Sequence, residues 1–226
     1  MPRTSRRLLA FDRRLGARFV AGADEAGRGS LAGPLVAAGV LLDYERVRGP
    51  VAARLSLLND SKQLSEPERE HLFGVVLRCA TRVVVQSVPP SEIDRVGLHR
   101  SNLRALARSL AALAPPAEAC LVDGFRLGPS APPHRHVVDG DERSAAIAAA
   151  SIVAKVVRDH AMRRFDALYP RFGFASHVGY LTPAHSEAVR RLGPSDIHRL
   201  SFRARCYAGS AEDASDAAPA VPAAAA

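Results

Sequence analysis

The sequence has few cysteines and no apolar segment long enough to cross a membrane. Its three cysteines, Cys79, Cys120 and Cys206, are far apart and odd in number, which favours reduced thiols over a disulfide framework or a zinc site. The longest apolar runs, 31–42 and 145–154, are much shorter than the roughly 20 residues of a membrane-spanning helix. Near the N-terminus, Asp12 follows the apolar residues 8–11 too early for the core of a signal peptide. We therefore expect a cytoplasmic protein without a membrane segment.

Basic residues outnumber acidic ones. The 226 residues include 31 Lys and Arg against 23 Asp and Glu, a formal net charge of +8. This excess favours a polyanionic partner such as nucleic acid or an anionic membrane, although charge alone does not distinguish them. The length suits one well-packed domain with small appendages. We assign residues 1–17 to a basic N-terminal extension, 18–207 to the folded domain and 208–226 to a disordered Ala/Pro-rich tail.

Strand and helix patterns alternate along most of the chain, which indicates an α/β fold. Ser65 and Glu68 have the spacing of a capping box and predict a helix that begins after Ser65. In the helical pattern at 144–165, Lys155, Arg158 and Asp159 lie off the apolar stripe, where they can reach solvent or a site. The predicted strands are 18–24, 34–42, 82–88 and 119–123, and a further helix is predicted at 91–113.

Acidic residues follow two apolar strand patterns directly. Asp24 and Glu25 end the stretch 19–23 and precede Gly27, Arg28 and Gly29, while Asp123 ends the stretch 119–122 and precedes a glycine. An unpaired carboxylate in an apolar environment costs several kcal/mol, so such positions usually have a basic partner or a cation. Because ligands collect at the carboxyl ends of strands in open α/β sheets, we expect these acids to converge with Asp141.

Four converging carboxylates without nearby cysteine predict a site for hard cations such as Mg²⁺ or Mn²⁺. Two such ions would hold the attacking water and the leaving oxygen during hydrolysis of a phosphodiester. Glycines beside the acids would let a polar ligand approach the backbone. The residues therefore predict a metal-dependent enzyme that acts on phosphates.

The sequence resembles the ribonuclease HII family over roughly residues 18–206. The resemblance rests on the order and spacing of several motifs. These are residues 21–29 (AGADEAGRG), 59–65 (NDSKQLS), 122–124 (VDG), 140–141 (GD), 147–156 (IAAASIVAKV) with Arg158 and Asp159, Gly179 and Tyr180 with Thr182 and His185, and His198 and Arg199 with Ser201 and Phe202.

The resemblance implies a ribonuclease H-like mixed sheet flanked by helices, with a small helical C-terminal part. It also implies metal-dependent endonucleolytic cleavage of RNA in RNA–DNA hybrids, and incision 5′ of ribonucleotides embedded in duplex DNA, which leaves 3′-hydroxyl and 5′-phosphate ends. We expect a monomer. By resemblance, Asp24, Glu25, Asp123 and Asp141 are the metal-binding and catalytic carboxylates, Gly27, Arg28 and Gly29 sense the 2′-hydroxyl, and Tyr180 stacks on the adjoining deoxyribose.

Several other positions have two interpretations. Lys62 either contacts a substrate phosphate or caps a solvated loop, and Lys155 and Arg158 either bind phosphate or balance Asp159. We expect His185 and His198 to form structural hydrogen bonds and not to bind a metal. Because adjacent strand residues point to opposite faces, we expect a strand end or distortion at Glu25.

Two positions depart from the family's pattern. Asp139 and Val178 stand where the resemblance leads us to expect lysine. The loss of two basic residues should weaken contacts with phosphate, and Asp139 adds a negative charge near the carboxylates.

Two other classes of function compete with the nuclease. Gly27, Gly29 and Ala32 match a dinucleotide-binding fingerprint, with Asp43 and Glu45 downstream, but that fingerprint requires a helix where residues 34–42 favour a strand. A non-catalytic nucleic-acid binder with the same fold is the second alternative, and the complete set of acids argues against it.

Overall fold

The structure is a computed structural model that describes residues 3–58 and 64–207. A five-stranded mixed sheet with the order β3-β2-β1-β4-β5 forms its centre. The strands are β1 (Phe19–Ala26), β2 (Leu35–Asp43), β3 (Arg82–Val88), β4 (Ala119–Asp123) and β5 (Arg135–Val137). β2 is antiparallel to both β1 and β3, whereas β1, β4 and β5 are parallel. The carboxyl ends of the three parallel strands therefore lie at one edge of the sheet.

Helices cover both faces of this sheet. They are α1 (Arg3–Arg13), α2 (Gly49–Leu55), α3 (Glu66–Cys79), α4 (Pro90–Val96), α5 (Leu98–Ala111), α6 (Ala145–Leu168), α7 (Phe174–His177) and α8 (Pro183–Leu192), with 3-10 turns at Gly140–Glu142, Leu200–Phe202 and Arg205–Tyr207. The predicted α/β class and the four predicted strands are confirmed. The capping box is also confirmed, since the Ser65 N–H donates to Glu68 Oε2 at 2.7 Å.

One predicted helix is in fact two. The pattern at 91–113 predicted a single helix, but α4 ends at Val96 and α5 begins at Leu98. Gly97 between them has a φ of 93°, a left-handed conformation that glycine adopts without a steric cost. The apolar spacing continues across this break because both helices bury side chains against the same face of the sheet, including Ile93 and Leu106.

Helix α6 packs directly on β1 at Gly22. A Cβ atom at this glycine would lie 2.2 Å from the carbonyl carbon of Ala146, so only glycine permits this approach. Alternate residues of β1 face opposite layers: Val20 packs with α6 in one apolar cluster, and Ala21 packs with α5 in the other. This alternation decides where the acids at the end of β1 point.

The basic N-terminal segment is joined to the core. Leu8 and Leu9 of α1 are buried in the cluster that contains α6. The carboxylate of Asp12 is also buried, where its Oδ2 accepts hydrogen bonds from the Tyr44 hydroxyl at 2.7 Å and from the Ala146 N–H at 2.9 Å. Burial raises the pKa of Asp12 to about 6. Helix α1 is therefore part of the folded domain and supports the start of α6.

The C-terminal part after α6 is small and helical, as the resemblance implied. Its apolar cluster contains Met162, Phe174 and Ile197 together with Ala32 from the loop between β1 and β2. Lys62 and the predicted tail at 208–226 lie outside the described residues. Within residues 3–58 and 64–207, no helix has the length and apolar character needed to span a membrane.

Candidate active site

The ends of β1 and β4 bring two of the predicted acids together. Ala23 is paired with Val122 in the parallel ladder, so Asp24 and Asp123 are the next residues on neighbouring strands. After Asp123, Gly124 turns the chain away from β4. After Asp24, β1 continues for two more residues. The convergence predicted from strand ends is therefore present in the structure.

Asp24 and Glu25 point to opposite faces of β1. Asp24 faces α6, where the Ser151 hydroxyl hydrogen bonds to its carboxylate, while Glu25 lies near Asn102 of α5. The predicted strand end or distortion at Glu25 is wrong, because β1 runs to Ala26 and its register with β2 is unbroken. The cleft reaches both carboxylates because β4 ends at Asp123, which leaves the last residues of β1 without a neighbour on that side.

Asp141 reaches the same place through a tight turn after β5. It is buried in the 3-10 turn Gly140–Glu142, and the N–H of Gly140 donates to Asp123 Oδ1 at 2.7 Å. A Cβ atom at Gly140 would lie 3.1 Å from that oxygen and 2.6 Å from Ile147 Cδ1, so glycine is needed for this approach. The turn therefore holds Asp123 and Asp141 side by side.

Burial and the repulsion between neighbouring carboxylates make Asp24 and Glu25 hard to ionise. Burial, followed by the charges of Glu25 and Asp123, raises the pKa of Asp24 well above its usual range. Burial and the charge of Asp123 raise the pKa of Glu25 to about 7, against a smaller opposing effect of Arg28. A divalent cation among them would reverse both effects.

The donor set fits a hard divalent cation in its chemistry. All the candidate ligands are oxygens, and Glu25 Oε2 is buried without a hydrogen-bond partner among the described residues. Between residues 3 and 207, excluding 59–63, no three Asp, Glu, His or Cys side chains already stand in an arrangement that could hold one ion. Coordination of one ion by three of these side chains would therefore require them to rotate, which agrees with Asp24 and Glu25 facing opposite ways.

The acids line one open cleft of about 520 Å³. It also contains basic and aromatic groups that suit a nucleic-acid backbone. The lining residues are Asp24, Glu25, Ala26, Gly27, Arg28, Gly29, Arg69, Asp123, Asp141, Ser151, Lys155 and Tyr180. Every predicted site residue within the described part of the chain is therefore in this cleft, whereas Lys62 falls outside that part.

Three further residues of the site were missed from the sequence. Arg69 of α3 lines the cleft and its guanidinium donates to the Leu64 carbonyl, while Ser151 and Asn102 contact the acids of β1. Ser151 could have been predicted from the sequence, because it lies one helical turn before Lys155 on the same face of α6. Asn102 is fully buried and could not have been predicted in this way.

Three charged residues of α6, namely Lys155, Arg158 and Asp159, differ in their exposure and contacts. Lys155 remains partly exposed, pairs with Asp159 at 2.8 Å and lies 5.6 Å from the centre of the Tyr180 ring. The sequence left solvent or a site open for Arg158 and Asp159, and the structure excludes solvent, because both are buried. The C-terminal part covers the face of α6 that contains them. The spacing of apolar residues within α6 does not predict this covering, because it depends on a distant part of the chain.

Comparison with known proteins agrees with this geometry. The sequence profile described as Ribonuclease HII matches residues 21–205 of the chain. The chain belongs to the ribonuclease HII family. It is 44% identical to the ribonuclease HII of Geobacillus kaustophilus over 198 residues, which cover 86% of this chain and 73% of that protein. It is 48% identical to that of Rhizobium leguminosarum bv. trifolii over 198 residues, covering 87% and 83% of the two chains.

Solved structures of related proteins have the same fold. Ribonuclease H2 from Pyrococcus horikoshii OT3 superposes with a TM-score of 0.69 at 26% identity, covering 84% of this chain and 95% of that one. Ribonuclease HII of Archaeoglobus fulgidus, solved in a complex with PCNA, gives a TM-score of 0.69 at 27% identity, covering 83% and 96%. The predicted ribonuclease H-like fold is confirmed.

Membership of the ribonuclease HII family gives the class of reaction. The protein is a ribonuclease H, a metal-dependent endonuclease that hydrolyses the RNA of RNA–DNA hybrids. The dinucleotide-binding alternative fails on the structure, because the chain after Gly29 enters strand β2 and forms no helix there.

Proposed function

We propose that the cleft incises duplexes on the 5′ side of a ribonucleotide and leaves 3′-hydroxyl and 5′-phosphate ends. The observation that carries this proposal is the composition of the cleft. Carboxylates, the glycine loop after β1 and the Tyr180 ring all line the same 520 Å³ space. A phosphate beside the acids therefore lies next to groups that distinguish one sugar from another.

Four carboxylates are the proposed catalytic and metal-binding groups: Asp24, Glu25, Asp123 and Asp141. Mn²⁺ or Mg²⁺ bound by these oxygens would lower the pKa of the attacking water and neutralise charge on the leaving oxygen. The buried carboxylates hold their negative charge only at the cost of desolvation, which favours binding of a divalent cation over a sodium ion. The Gly140 N–H donates to Asp123 Oδ1 at 2.7 Å and so fixes the position of this carboxylate at the cleft.

The loop of residues 27–29 is the proposed sensor of the 2′-hydroxyl. The 2′-hydroxyl distinguishes RNA from DNA at a given site, and both backbone N–H and C=O groups can hydrogen bond to it. At Gly29 nothing lies within 4 Å of the position of a Cβ atom, so the backbone is open to a ligand. Tyr180, 38% exposed at the rim of the cleft, would stack on the adjoining deoxyribose.

Basic side chains of the cleft would bind the phosphate backbone. Arg28, Arg69 and Lys155 line the cleft, and Arg28 is held over the Phe125 ring at 4.9 Å. Lys62 is proposed as a further phosphate contact on its sequence motif. These contacts position the duplex and carry no base specificity, as an enzyme that selects a sugar requires.

The assembly and location of the protein are further proposals. We propose a cytoplasmic monomer, with residues 208–226 outside the catalytic domain. The free thiols of Cys79, Cys120 and Cys206 support a reducing compartment. Light scattering during size-exclusion chromatography tests the monomer, and a mass of twice 24.1 kDa would contradict it.

The decisive experiment uses a DNA duplex with one ribonucleotide, an all-DNA duplex of the same sequence, and Mn²⁺, Mg²⁺ or chelator. We expect metal-dependent incision at the ribonucleotide and no cut in the all-DNA duplex. Cleavage of an RNA–DNA hybrid without incision at a single ribonucleotide would reject the proposed substrate. Binding of the duplex without any turnover would favour the non-catalytic binder.

A further inference from the structure

Two arginines are buried beneath the loop that connects β1 to β2. Arg158 of α6 and Arg199 of the C-terminal part are both 0% exposed. Neither forms an ion pair with any residue in 3–58 or 64–207. A buried charge without a counter-ion is costly, and burial together with the charge of Arg158 lowers the pKa of Arg199 to about 9. Their hydrogen bonds show which part of the structure these two arginines hold in place.

Arg199 holds the loop of residues 27–34, which we call the recognition loop. Its Nε and Nη2 atoms donate to the Gly33 carbonyl at 3.0 and 2.8 Å, and its Nη1 donates to the Arg28 carbonyl at 3.0 Å. A trans peptide directs its C=O and N–H groups in opposite directions. The bond from Arg199 to the Arg28 carbonyl therefore turns the Gly29 N–H away from Arg199, on the side of the cleft that Gly29 lines.

Arg158 connects the same loop to Tyr180. Its guanidinium donates to the carbonyls of Pro34 at 3.1 Å, Ala32 at 3.2 Å and Val178 at 2.8 Å. It also lies 5.3 Å from the centre of the Tyr180 ring.

Arg158 supports the loop from below and fixes a strained residue before Tyr180. A Cβ atom at Gly27 would lie 1.8 Å from Arg158 Nε, so the loop rests directly on this side chain. Val178 has a φ of 41°, which is unfavourable for a β-branched residue, and the bond to Arg158 helps to keep it there.

We propose that Arg158 and Arg199 are positioning residues for recognition of the ribonucleotide. Six guanidinium hydrogen bonds, all to main-chain carbonyls, fix the recognition loop and Tyr180 in one arrangement. The Gly179 carbonyl adds to this unit by accepting from the N–H groups of Leu31 at 2.9 Å and Ala32 at 3.1 Å. The inference rests on the proposed function, because it assigns the sensing of the 2′-hydroxyl to this loop.

The variant Arg199→Lys tests the proposal. Lysine keeps the charge but has one compact donor group, which cannot hold the Arg28 and Gly33 carbonyls in the fixed geometry of a guanidinium. Two quantities are measured on the full chain: kcat/KM for a duplex with one ribonucleotide, and the inhibition constant of the all-DNA duplex as a competitor. Arg164→Lys, an exposed position on α6, is the matched control.

We expect Arg199→Lys to lower kcat/KM at least tenfold and to leave the inhibition constant of the all-DNA duplex within twofold. Equal losses in both quantities, or no loss in a folded variant, would overturn the proposal. A wild-type protein that fails to incise at the ribonucleotide would instead reject the proposed function, so the two failures are distinguishable. Arg158→Gln is the second variant, which removes one of two repelling buried charges and retains an N–H donor for the loop.

A measurement on the wild-type chain does not depend on the folding of a variant. The NMR signals of the Nε–H groups of Arg158 and Arg199 should be protected from solvent exchange, both in the free protein and with bound ribonucleotide duplex. The Gly29 amide signal should shift on binding. Loss of either arginine signal on binding would show that the guanidinium bonds break during recognition, which contradicts the proposal.

Discussion

The Nε2 atoms of His185 and His198 lie 3.0 Å apart in the buried C-terminal part. His185 Nδ1 lies 2.9 Å from the Tyr180 carbonyl, so this nitrogen carries the proton and Nε2 accepts from His198. His198 Nδ1 accepts in turn from the Ser195 N–H at 2.9 Å. The chain of bonds requires both rings to be neutral. Their predicted role as structural hydrogen-bonders fits this arrangement.

The histidine pair predicts loss of stability at acid pH. Burial lowers the pKa of each ring to about 4, with a further contribution from the neighbouring histidines, including His177 stacked on His185. The unfolded chain therefore binds more protons than the folded one between about pH 6.5 and 4, and the pair's stabilisation is lost as pH falls through that range. We expect the free energy of unfolding to fall by several kcal/mol over this range.

The measurement is chemical denaturation from pH 7 to pH 4 for the wild type and His198→Gln. The raised pKa values of Asp12 and Glu25 act with the opposite sign, so the difference between the two proteins isolates the histidines. His136→Gln, at an exposed position, is the control. Parallel pH profiles for wild type and His198→Gln would show that the pair does not titrate in this way.

Asp123→Asn should abolish most of the activity without unfolding the protein. Asparagine retains an oxygen that accepts from Gly140 N–H, but it removes a negative charge from the proposed metal site. We expect kcat to fall on the order of a hundredfold or more, which corresponds to about 2.7 kcal/mol of transition-state stabilisation. Single-turnover cleavage measures the rate, and the exposed Asp196→Asn is the control. Near-normal turnover would remove Asp123 from the catalytic set.

Divalent cations should stabilise the protein more at pH 8 than at pH 6. Ionised carboxylates are the ligands, and the pKa of Glu25 is raised to about 7, so protons compete with the metal below that pH. We expect Mn²⁺ or Mg²⁺ to raise Tm by several degrees at pH 8, and the increase to shrink in Glu25→Gln. Differential scanning fluorimetry with chelator as the reference measures both. An increase that persists unchanged in Glu25→Gln would place the ion elsewhere.

Alanine at two glycines of the recognition loop should separate folding from recognition. Gly27 has a φ of 81° and its Cβ would overlap Arg158 Nε, so Gly27→Ala should destabilise the protein by about 2 kcal/mol or more. Gly29 has space for a Cβ atom, so Gly29→Ala should keep the wild-type Tm. In the cleft, however, its methyl group would keep a sugar from the backbone and lower kcat/KM for a single ribonucleotide.

Both Tm and kcat/KM are measured for the two glycine variants, with Gly128→Ala, a glycine that also has free space, as the control. A Gly29→Ala enzyme with wild-type kcat/KM would mean that the substrate does not approach this backbone closely.

Restoring lysine at the two departures should strengthen binding of the duplex. Asp139 and Val178 both have left-handed backbone conformations, with φ values of 50° and 41°. Each added phosphate contact should steepen the dependence of log K on log[salt] by about 0.9. Val178→Lys should also raise stability by about 1 kcal/mol, since it removes a β-branched side chain from this conformation.

The control for Val178→Lys is Val178→Gln, which relieves the same strain without adding charge. Fluorescence anisotropy over a range of salt concentrations gives the slope. An equal affinity gain in both variants would assign the effect to backbone strain and not to a phosphate contact.

The sequence predicts the acids of the site better than the groups that hold them. Asp24 and Asp123 were predictable because strand ends of a parallel pair meet at one edge, and the glycines after them mark the turns. Arg158 and Arg199 were not, because their burial depends on the C-terminal part folding over α6. The continuation of β1 beyond Glu25 likewise depends on its pairing with β2, which the alternation of side chains alone does not determine.

During synthesis, Arg199 is added long after the recognition loop with which it forms hydrogen bonds. Arg199 donates to the carbonyls of Arg28 and Gly33, which precede it by 171 and 166 residues. A nascent chain interrupted after α6 already contains all four acids, since Asp141 precedes that helix. Its recognition loop would lack the guanidinium of Arg199. A truncated product therefore retains the carboxylates but not the group that holds the loop over them, so that correct selection of the sugar waits for the last part of the fold.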